Sequence, residues 1–476
     1  MRAERHGLYR VRTRLSSGFA DRSHNYSLYD ESGAACREFT EVASLEPRRV
    51  PPFAGEPKAG GDVNGDGVDD LLLEAAGLPG VQLVLGGPTA RTGFAGGPAS
   101  YGFTGGLCGA APTSAQAIGD IDGDGLMDLL FEVDGCAPAV LFGASLPAPI
   151  PGARVDVDLA GGDLTIEMDG DWTVHDLDGD AFADLLVLGH EYGGGSYGVY
   201  GFFGSALSGR TTVGLADAAF AVDDSGAEQF VRAASSVVDV DGDGVREIAV
   251  SASMYAFNAS TFPLDNAVYI HHSSSLTPGV VATQVDAQQE IRDTFGAYDW
   301  FGSRLVPGGD FDGDGVEDLV LSGMRGVETA HLPPAVHVVS GAQLALGGDI
   351  DIEVDATTLR EDGTGRGIGE WVAADDQVMF GDSVARLGDL DGDGFGDYVV
   401  TNFPEWQYQE TFVRHVTVFS GRDLVWGDRL TLWQADYFIP VTGWQYDTVE
   451  NLGDIDGDGH VDLRVADTVV WGPLLP

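Results

Sequence analysis

The chain has 476 residues, 43% of them apolar, which is enough to bury a large core and too many for a disordered or collagen-like polymer. Its 75 acidic residues against 25 basic ones leave a formal net charge of −50, which repels nucleic acid and anionic lipid and attracts cations. There is no run of about eighteen apolar residues, so nothing reads as a membrane-spanning helix, and length alone would allow two or three domains.

In chain order, residues 1–22 are arginine-rich and lack the apolar centre of a secretion signal. Residues 1–50 are expected to be partly disordered and to supply one strand, within "CREFTEVASL", to the far end of the chain. Three cysteines, Cys36, Cys108 and Cys136, do not make a disulfide scaffold. Cys108 and Cys136 flank an acidic segment and could pair, leaving Cys36 free, or all three are buried thiols.

From residue 51 to 476 one pattern recurs seven times. Its versions are "GDVNGDGVDDLLL", "GDIDGDGLMDLLF", "HDLDGDAFADLLV", "VDVDGDGVREIAV", "GDFDGDGVEDLVL", "GDLDGDGFGDYVV" and "GDIDGDGHVDLRV", spaced by about sixty residues. Nine residues before the first aspartate stands a phenylalanine in four repeats: Phe53, Phe230, Phe301 and Phe380. Each acidic loop runs into a short apolar segment, and a second one follows and ends in a turn: "VQLVLGG", "AVLFGA", "VYGFFGS", "VYIHHSS", "VHVVSG", "VTVFSG" and "TVVWGP". Such runs, rich in Val, Ile, Phe and Tyr and bounded by Gly, Pro and Asp, predict strands, and no segment sustains a helical period. Each unit is therefore a small antiparallel sheet that cannot bury both faces alone, and repetition supplies its neighbours.

The spacing Asp-x-Asp-x-Asp-Gly-x-x-Asp places carboxylates at positions 1, 3, 5 and 9 of a tight turn. Oxygen donors at alternating positions suit a hard cation, and Ca2+ accepts six to eight oxygens in a forgiving geometry, whereas Mg2+ demands a stricter octahedron. Zinc and copper favour nitrogen or sulfur donors, which these positions do not offer. With position 7 contributing its backbone carbonyl, the candidate ligands in the first three loops are Asp62, Asn64, Asp66, Val68 and Asp70; Asp120, Asp122, Asp124, Leu126 and Asp128; Asp176, Asp178, Asp180, Phe182 and Asp184. In the fourth and fifth they are Asp239, Asp241, Asp243, Val245 and Glu247; Asp310, Asp312, Asp314, Val316 and Asp318. The last two offer Asp389, Asp391, Asp393, Phe395 and Asp397; Asp454, Asp456, Asp458, His460 and Asp462. Up to seven Ca2+ ions are expected, and they would move the formal charge from −50 to −36. An EF-hand would close with Glu at position 12, at the start of a helix. Here position 12 is Leu73, Phe131, Val187, Val250, Leu321, Val400 and Val465, all in strand-like runs, so the EF-hand is excluded. Loop 1 loses a charge at Asn64, loop 3 has Ala181 in place of glycine, and loop 4 closes with the longer Glu247.

The Phe-Gly start in "FGSRLVPGGD" and "FGDSVARLGD", the acidic loop and the following strand resemble FG-GAP repeats. These are the repeats of the integrin α-chain head and of bacterial VCBS or FG-GAP repeat proteins. The resemblance implies an all-β fold: a seven-bladed β-propeller of four-stranded antiparallel blades, its ring closed by the N-terminal strand, with Ca2+ in the loop joining each blade's first two strands. Two departures stand out. All seven loops look able to bind metal, and the Gly-Ala-Pro signature after the second strand is replaced by stretches such as "LSGMRG" and "VTNFPE".

No reaction centre is apparent, and the expectation is a binding module rather than an enzyme. "GGSYG" from Gly194 to Gly198 matches a nucleophile-elbow pattern but has no helix after it. His271 and His272 end a strand with no metal-ligand partner at recognisable spacing. Long aromatic loops, "HEYGGGSY", "SMYAFNASTFPLDN" and "TNFPEWQYQETF", suit a protein or glycan ligand. The sequence thus points to a monomeric calcium-binding adhesion or ligand-binding module working extracellularly, at a cell surface or in a periplasm. A lectin-like propeller and a non-catalytic accessory domain of a secreted hydrolase are the alternatives.

Overall fold

The structure, a computed structural model, describes residues 10–13, 26–29, 35–38, 56–74, 80–88, 101–105, 109–133, 135–150, 154–159, 162–192, 197–223, 229–254, 267–292, 300–307, 309–324, 335–360, 378–389, 394–404, 414–419, 421, 429–431, 437–441, 449–465 and 468–472. It is an all-β, seven-bladed propeller whose helices are short pieces such as Gly204–Leu207 and Gly341–Ala345. In every blade the acidic loop joins the first strand to the second, as expected. Blade 3, for example, runs Met168–His175, Asp184–Glu191, Gly198–Phe202 and Phe220–Asp223, each strand antiparallel to the one before.

The second strands are apolar at successive positions because both faces of a blade are covered. In blade 3, Leu185 and Val187 pack toward blade 2, while Leu186 and Leu188 pack toward blade 4. In blade 5, Leu319 and Leu321 face blade 4 and Val320 faces blade 6. Each pair of neighbouring blades shares one buried cluster of this kind, including blades 7 and 1, which meet through Leu452, Ile455, Val469, Leu71 and Leu73. Phe301, one of the four repeated phenylalanines, is fully buried between blades 4 and 5.

The blades are not the plain four-stranded sheets expected. Blades 1 to 5 each carry a fifth, parallel strand outside the fourth, and it comes from the next blade. These strands are Val155–Asp158, Thr212–Val213, Val281–Ala282, Ile350–Asp351 and Arg429–Thr431, each lying between the third and fourth strands of its own blade. The excursion covers the edge that an antiparallel blade would otherwise leave open. Blade 6 has four strands and blade 7 three, Val449–Gly453, Asp462–Val465 and Thr468–Val470.

Within residues 1–50 the described strands Arg10–Thr13, Tyr26–Tyr29 and Ala35–Glu38 pair with one another in a separate sheet. Ala35–Glu38, which overlaps the segment expected to close the ring, pairs with Tyr26–Tyr29, and residues 39–45 of that segment lie outside the described residues. Blades 7 and 1 are joined by polar contacts as well as by packing. Asp69 N–H donates to the Asp454 carbonyl at 3.1 Å, and Asp454 N–H donates to Asp69 Oδ2 at 2.8 Å. Arg464, 4% exposed, donates to the Pro57 carbonyl at 2.9 Å and to Glu450 Oε2 at 3.0 Å, and also pairs with Glu56. Glu450 in turn accepts from Ala59 N–H at 3.0 Å.

Arg464→Ala would leave the Pro57 carbonyl without this donor and the Glu450 carboxylate with only the Ala59 N–H. The guanidinium is buried while the Glu450 and Glu56 carboxylates are partly exposed, so a loss of about 1–3 kcal/mol is expected, read as a fall in the urea midpoint. An unchanged midpoint would show that packing alone holds blade 7 to blade 1.

Candidate metal centres

Each acidic loop is shaped by its own side chains. The position-1 carboxylate accepts from the position-6 N–H in all seven loops. Position 3 accepts from the position-5 N–H, and position 5 from the position-7 N–H, in loops 1, 2, 3, 4, 5 and 7. In loop 6, Asp391 and Asp393 lie outside the described residues. These are Asx-type turns, which bend the backbone by pairing a carboxylate with an N–H two residues on. Asp310 Oδ1, buried in loop 5, has no hydrogen-bond partner.

Positions 4 and 6 both require positive φ, as at Gly123 (80°) and Gly125 (86°), and glycine takes that conformation without strain. Ala181 holds φ of 71° at position 6 of loop 3, alone among the described non-glycine residues. Its N–H lies 3.3 Å from Asp176 Oδ2, against 2.7 Å for the equivalent Gly125 bond in loop 2.

Position 9 lies at the start of the second strand and is buried in every loop: Asp70, Asp128, Asp184, Glu247, Asp318, Asp397 and Asp462. In loops 1, 2, 3, 4, 5 and 7 one oxygen accepts from the position-2 N–H, as from Ile121 at 2.8 Å. In six blades the other accepts from a glycine just past the third strand: Gly86, Gly143, Gly204, Gly341, Gly421 and Gly472. That glycine is forced by space, since a Cβ at Gly341 would stand 1.9 Å from the Glu317 carbonyl oxygen. Burial pushes Asp70, Asp128, Glu247 and Asp318 up to about 7 and Asp184 to about 6; the backbone N–H bonds oppose this, and nearby loop carboxylates reinforce it.

Positions 1, 3 and 9 converge in at least three loops. Donor atoms of Asp120, Asp122 and Asp128, of Asp176, Asp178 and Asp184, and of Asp310, Asp312 and Asp318 lie within 4.8 Å of one another. In loop 4 the convergent groups are Asp239, Asp241 and Asp243, and separately Asp241, Glu247 and His272. His272 is therefore a correction to the sequence reading, which saw no partner for it. The second strand of blade 4 pairs with the third so that Ile248 faces His271, which brings Glu247 beside His272.

Other features also escaped the sequence reading. Position 2 is apolar because it anchors the loop between blades: Val63, Ile121, Leu177, Phe311 and Ile455 are all buried. The loops also touch round the ring. The position-8 N–H of Met127, Ala183, Gly396 and Asp69 donates to the position-1 carbonyl of the preceding loop, at Asp62, Asp120, Asp310 and Asp454. Position-7 side chains cover the preceding loop, so a Cβ at Gly123 would meet the Phe182 ring at 2.4 Å. The repeated glycine at position 4 and the recurring apolar position 2 were the available signals. On the same face, a cavity of about 470 Å³ is lined by His175, Arg246, Glu317 and Arg386, with Arg246 paired to Glu317.

Because the strands alternate, the aromatic loops between second and third strands leave from the opposite face. Tyr192 and Tyr197 there are exposed, and the His190 and Tyr197 rings stand 6.3 Å apart. Residues 193–196, with most of "GGSYG", and residues 255–266 and 405–413 lie outside the described residues. Cys136 is disulfide-bonded, and Cys108, its expected partner, also lies outside them.

No family profile matches this chain, and neither does any curated protein sequence. Among solved structures it is similar to BBS1N, crystallised in complex with ARL6DN, at 8% identity and a TM-score of 0.40 over 88% of this chain and 93% of that one. It is also similar to the Bacillus licheniformis rhamnogalacturonan lyase PL11, at 12% identity and a TM-score of 0.31 over 88% and 76%. A third, the rhamnogalacturonan lyase YesW, has 12% identity and a TM-score of 0.28 over 96% and 73%. At these scores and identities the likenesses carry no argument about function.

Ala181→Gly removes a left-handed side-chain conformation that costs about 1 kcal/mol or more, part of which is offset by the freer unfolded chain. A rise in unfolding free energy of roughly 0.5 kcal/mol is expected by urea denaturation, and a fall would mean that the Ala181 side chain makes a compensating contact. The buried position-9 acids also set a pH dependence. Burial holds Asp70, Asp128, Asp184, Glu247 and Asp318 above the ordinary carboxylate value, so the folded chain binds more protons than the unfolded one between pH ~4 and ~7. In chelator the melting temperature should therefore fall as pH rises through this window, and a flat profile would contradict the burial argument.

Proposed function

We propose that this chain is an FG-GAP-type, calcium-stabilised propeller that works outside the cytoplasm as an adhesion or ligand-binding module and catalyses no reaction. The observation that carries this reading is the convergence of position-1, position-3 and position-9 carboxylates in loops 2, 3 and 5, each turn pre-bent by its own side chains. The donors are oxygens only, which favours a hard cation over zinc or copper, and the loops are flexible enough in donor number to favour Ca2+ over Mg2+. Carboxylates at positions 1, 3, 5 and 9, with the position-7 carbonyl, would hold the ion. A divalent charge there would keep the buried position-9 acid ionised at neutral pH.

Two further observations support the compartment. Extracellular calcium is about millimolar, which fills modules with dissociation constants of 10⁻⁴ to 10⁻³ M. A disulfide at Cys136 is the state that an oxidising compartment maintains. The ligand belongs on the face opposite the ions, where Tyr192 and Tyr197 stand exposed. Calcium would then act at a distance, by fixing the hairpins that carry that face, rather than by touching the ligand.

The test is the melting temperature in about 2 mM Ca2+, in Mg2+ and in chelator. A site with a dissociation constant near 10⁻⁴ M contributes roughly 1.8 kcal/mol at that concentration by mass action, so several filled sites should raise the melting temperature steeply. Mg2+ should do much less. Equal curves in calcium and chelator would reduce the acidic loops to turns and remove the main support for an extracellular role.

A further inference from the structure

Blade 4 departs from the other six in three places that meet at one point. Its position-9 acid is Glu247 rather than aspartate, the small residue past its third strand is Ser273 rather than glycine, and the residue between is His272. In blades 1, 2, 3, 5 and 7 both position-9 oxygens are tied to backbone N–H groups, as Asp128 is to Ile121 and Gly143. In blade 4 the Ser273 hydroxyl bonds the Arg246 carbonyl, which is the atom against which the other blades pack a bare glycine. Glu247 Oε2 keeps the position-2 bond, from Val240 at 2.7 Å. Its other oxygen, on a side chain with 0% exposure, has no hydrogen-bond partner.

Glu247 belongs to the group in which Asp241, Glu247 and His272 each offer one donor atom, all within 4.8 Å of one another. His272 Nδ1 stands 3.4 Å from Asp241 Oδ2. Two donors held by one tetrahedral ion at about 2.0–2.1 Å are separated by roughly 3.3 Å. In the other blades the residue at the place of His272 is Leu85, Phe142, Phe203, Ser340, Ser420 or Trp471, none of which brings a nitrogen lone pair.

We propose that blade 4 carries a site for a borderline first-row divalent cation, Zn2+ in particular, held by Asp241, Glu247 and His272. Imidazole with carboxylate suits zinc, and three protein donors leave a fourth position for water. Asp241 also belongs to the oxygen-only group with Asp239 and Asp243, so the two ions compete for blade 4 while the other loops keep the hard-cation arrangement. This goes beyond the calcium reading and stands or falls separately from it.

The test is equilibrium dialysis of the full chain against about 10 µM Zn2+ in about 1 mM Ca2+, with metal content per chain read by plasma emission. The wild type should retain one zinc, His272→Ala and Glu247→Asp should each lose it, and His272→Ala should keep the wild-type melting response to calcium. No zinc retained by the wild type, or zinc retained by His272→Ala, overturns the proposal. Should both variants fail to fold, wild type loaded with Co2+ decides. Visible ligand-field bands that Zn2+ abolishes and Ca2+ does not are expected, and their absence counts against the site. Zinc retention without any calcium-dependent melting shift would sink the calcium reading and leave this one standing, and the converse result would do the reverse.

Discussion

Seven buried acids, each at the start of a second strand, organise this propeller. Among the described residues, six of these carboxylates accept from the second residue of their own loop, and six, all but Glu247, accept from the glycine past the third strand. Much of the repeat's regularity follows from that single requirement. The glycine has no alternative, because a carbonyl occupies the space of its side chain, and the second loop residue is apolar because its amide is drawn under the blade edge. Burial and the neighbouring loop carboxylates resist ionisation of this group more strongly than its amide bonds favour it, so the same arrangement that fixes the backbone also creates demand for positive charge in the loop.

The ring adds a second level. Every pair of neighbouring blades shares a buried cluster, and at four of the junctions the loops beneath are linked by an amide-to-carbonyl bond at position 1. A disturbance in one loop therefore reaches the next through its first residue. The junction of blades 7 and 1 relies more heavily on charge, with the Arg464 guanidinium enclosed by Glu450, Glu56 and a backbone carbonyl.

Much of this was legible in the residues. Seven acidic loops in one register, each flanked by strand-type runs, carried the number of repeats and their all-β character, while the propeller and the place of the loop between a blade's first two strands came from the resemblance to FG-GAP repeats. The carboxylate positions that converge were read from spacing alone, because an Asx turn is a local event encoded within a few residues. What escaped was non-local. The parallel fifth strands, such as Thr212–Val213 and Val281–Ala282, are too short to carry any periodicity and exist only because a neighbour's edge lies open beside them. His272 stands twenty-five positions beyond Glu247, and only the pairing of Ile248 with His271 brings the two together. The simultaneous change of Asp to Glu and Gly to Ser in one repeat was visible, but its meaning depends on that register.

The borrowed fifth strand has a consequence for how the chain matures. A blade's outer edge is completed by residues that follow the third strand of the next blade, so no blade among the first five can finish until most of its successor exists. During synthesis, structure must then trail the ribosome by roughly one repeat, and the newest blade always emerges with its rim open. Each unit is thus sealed by the one made after it, and assembly acquires a direction that the ring's near-symmetry would not impose.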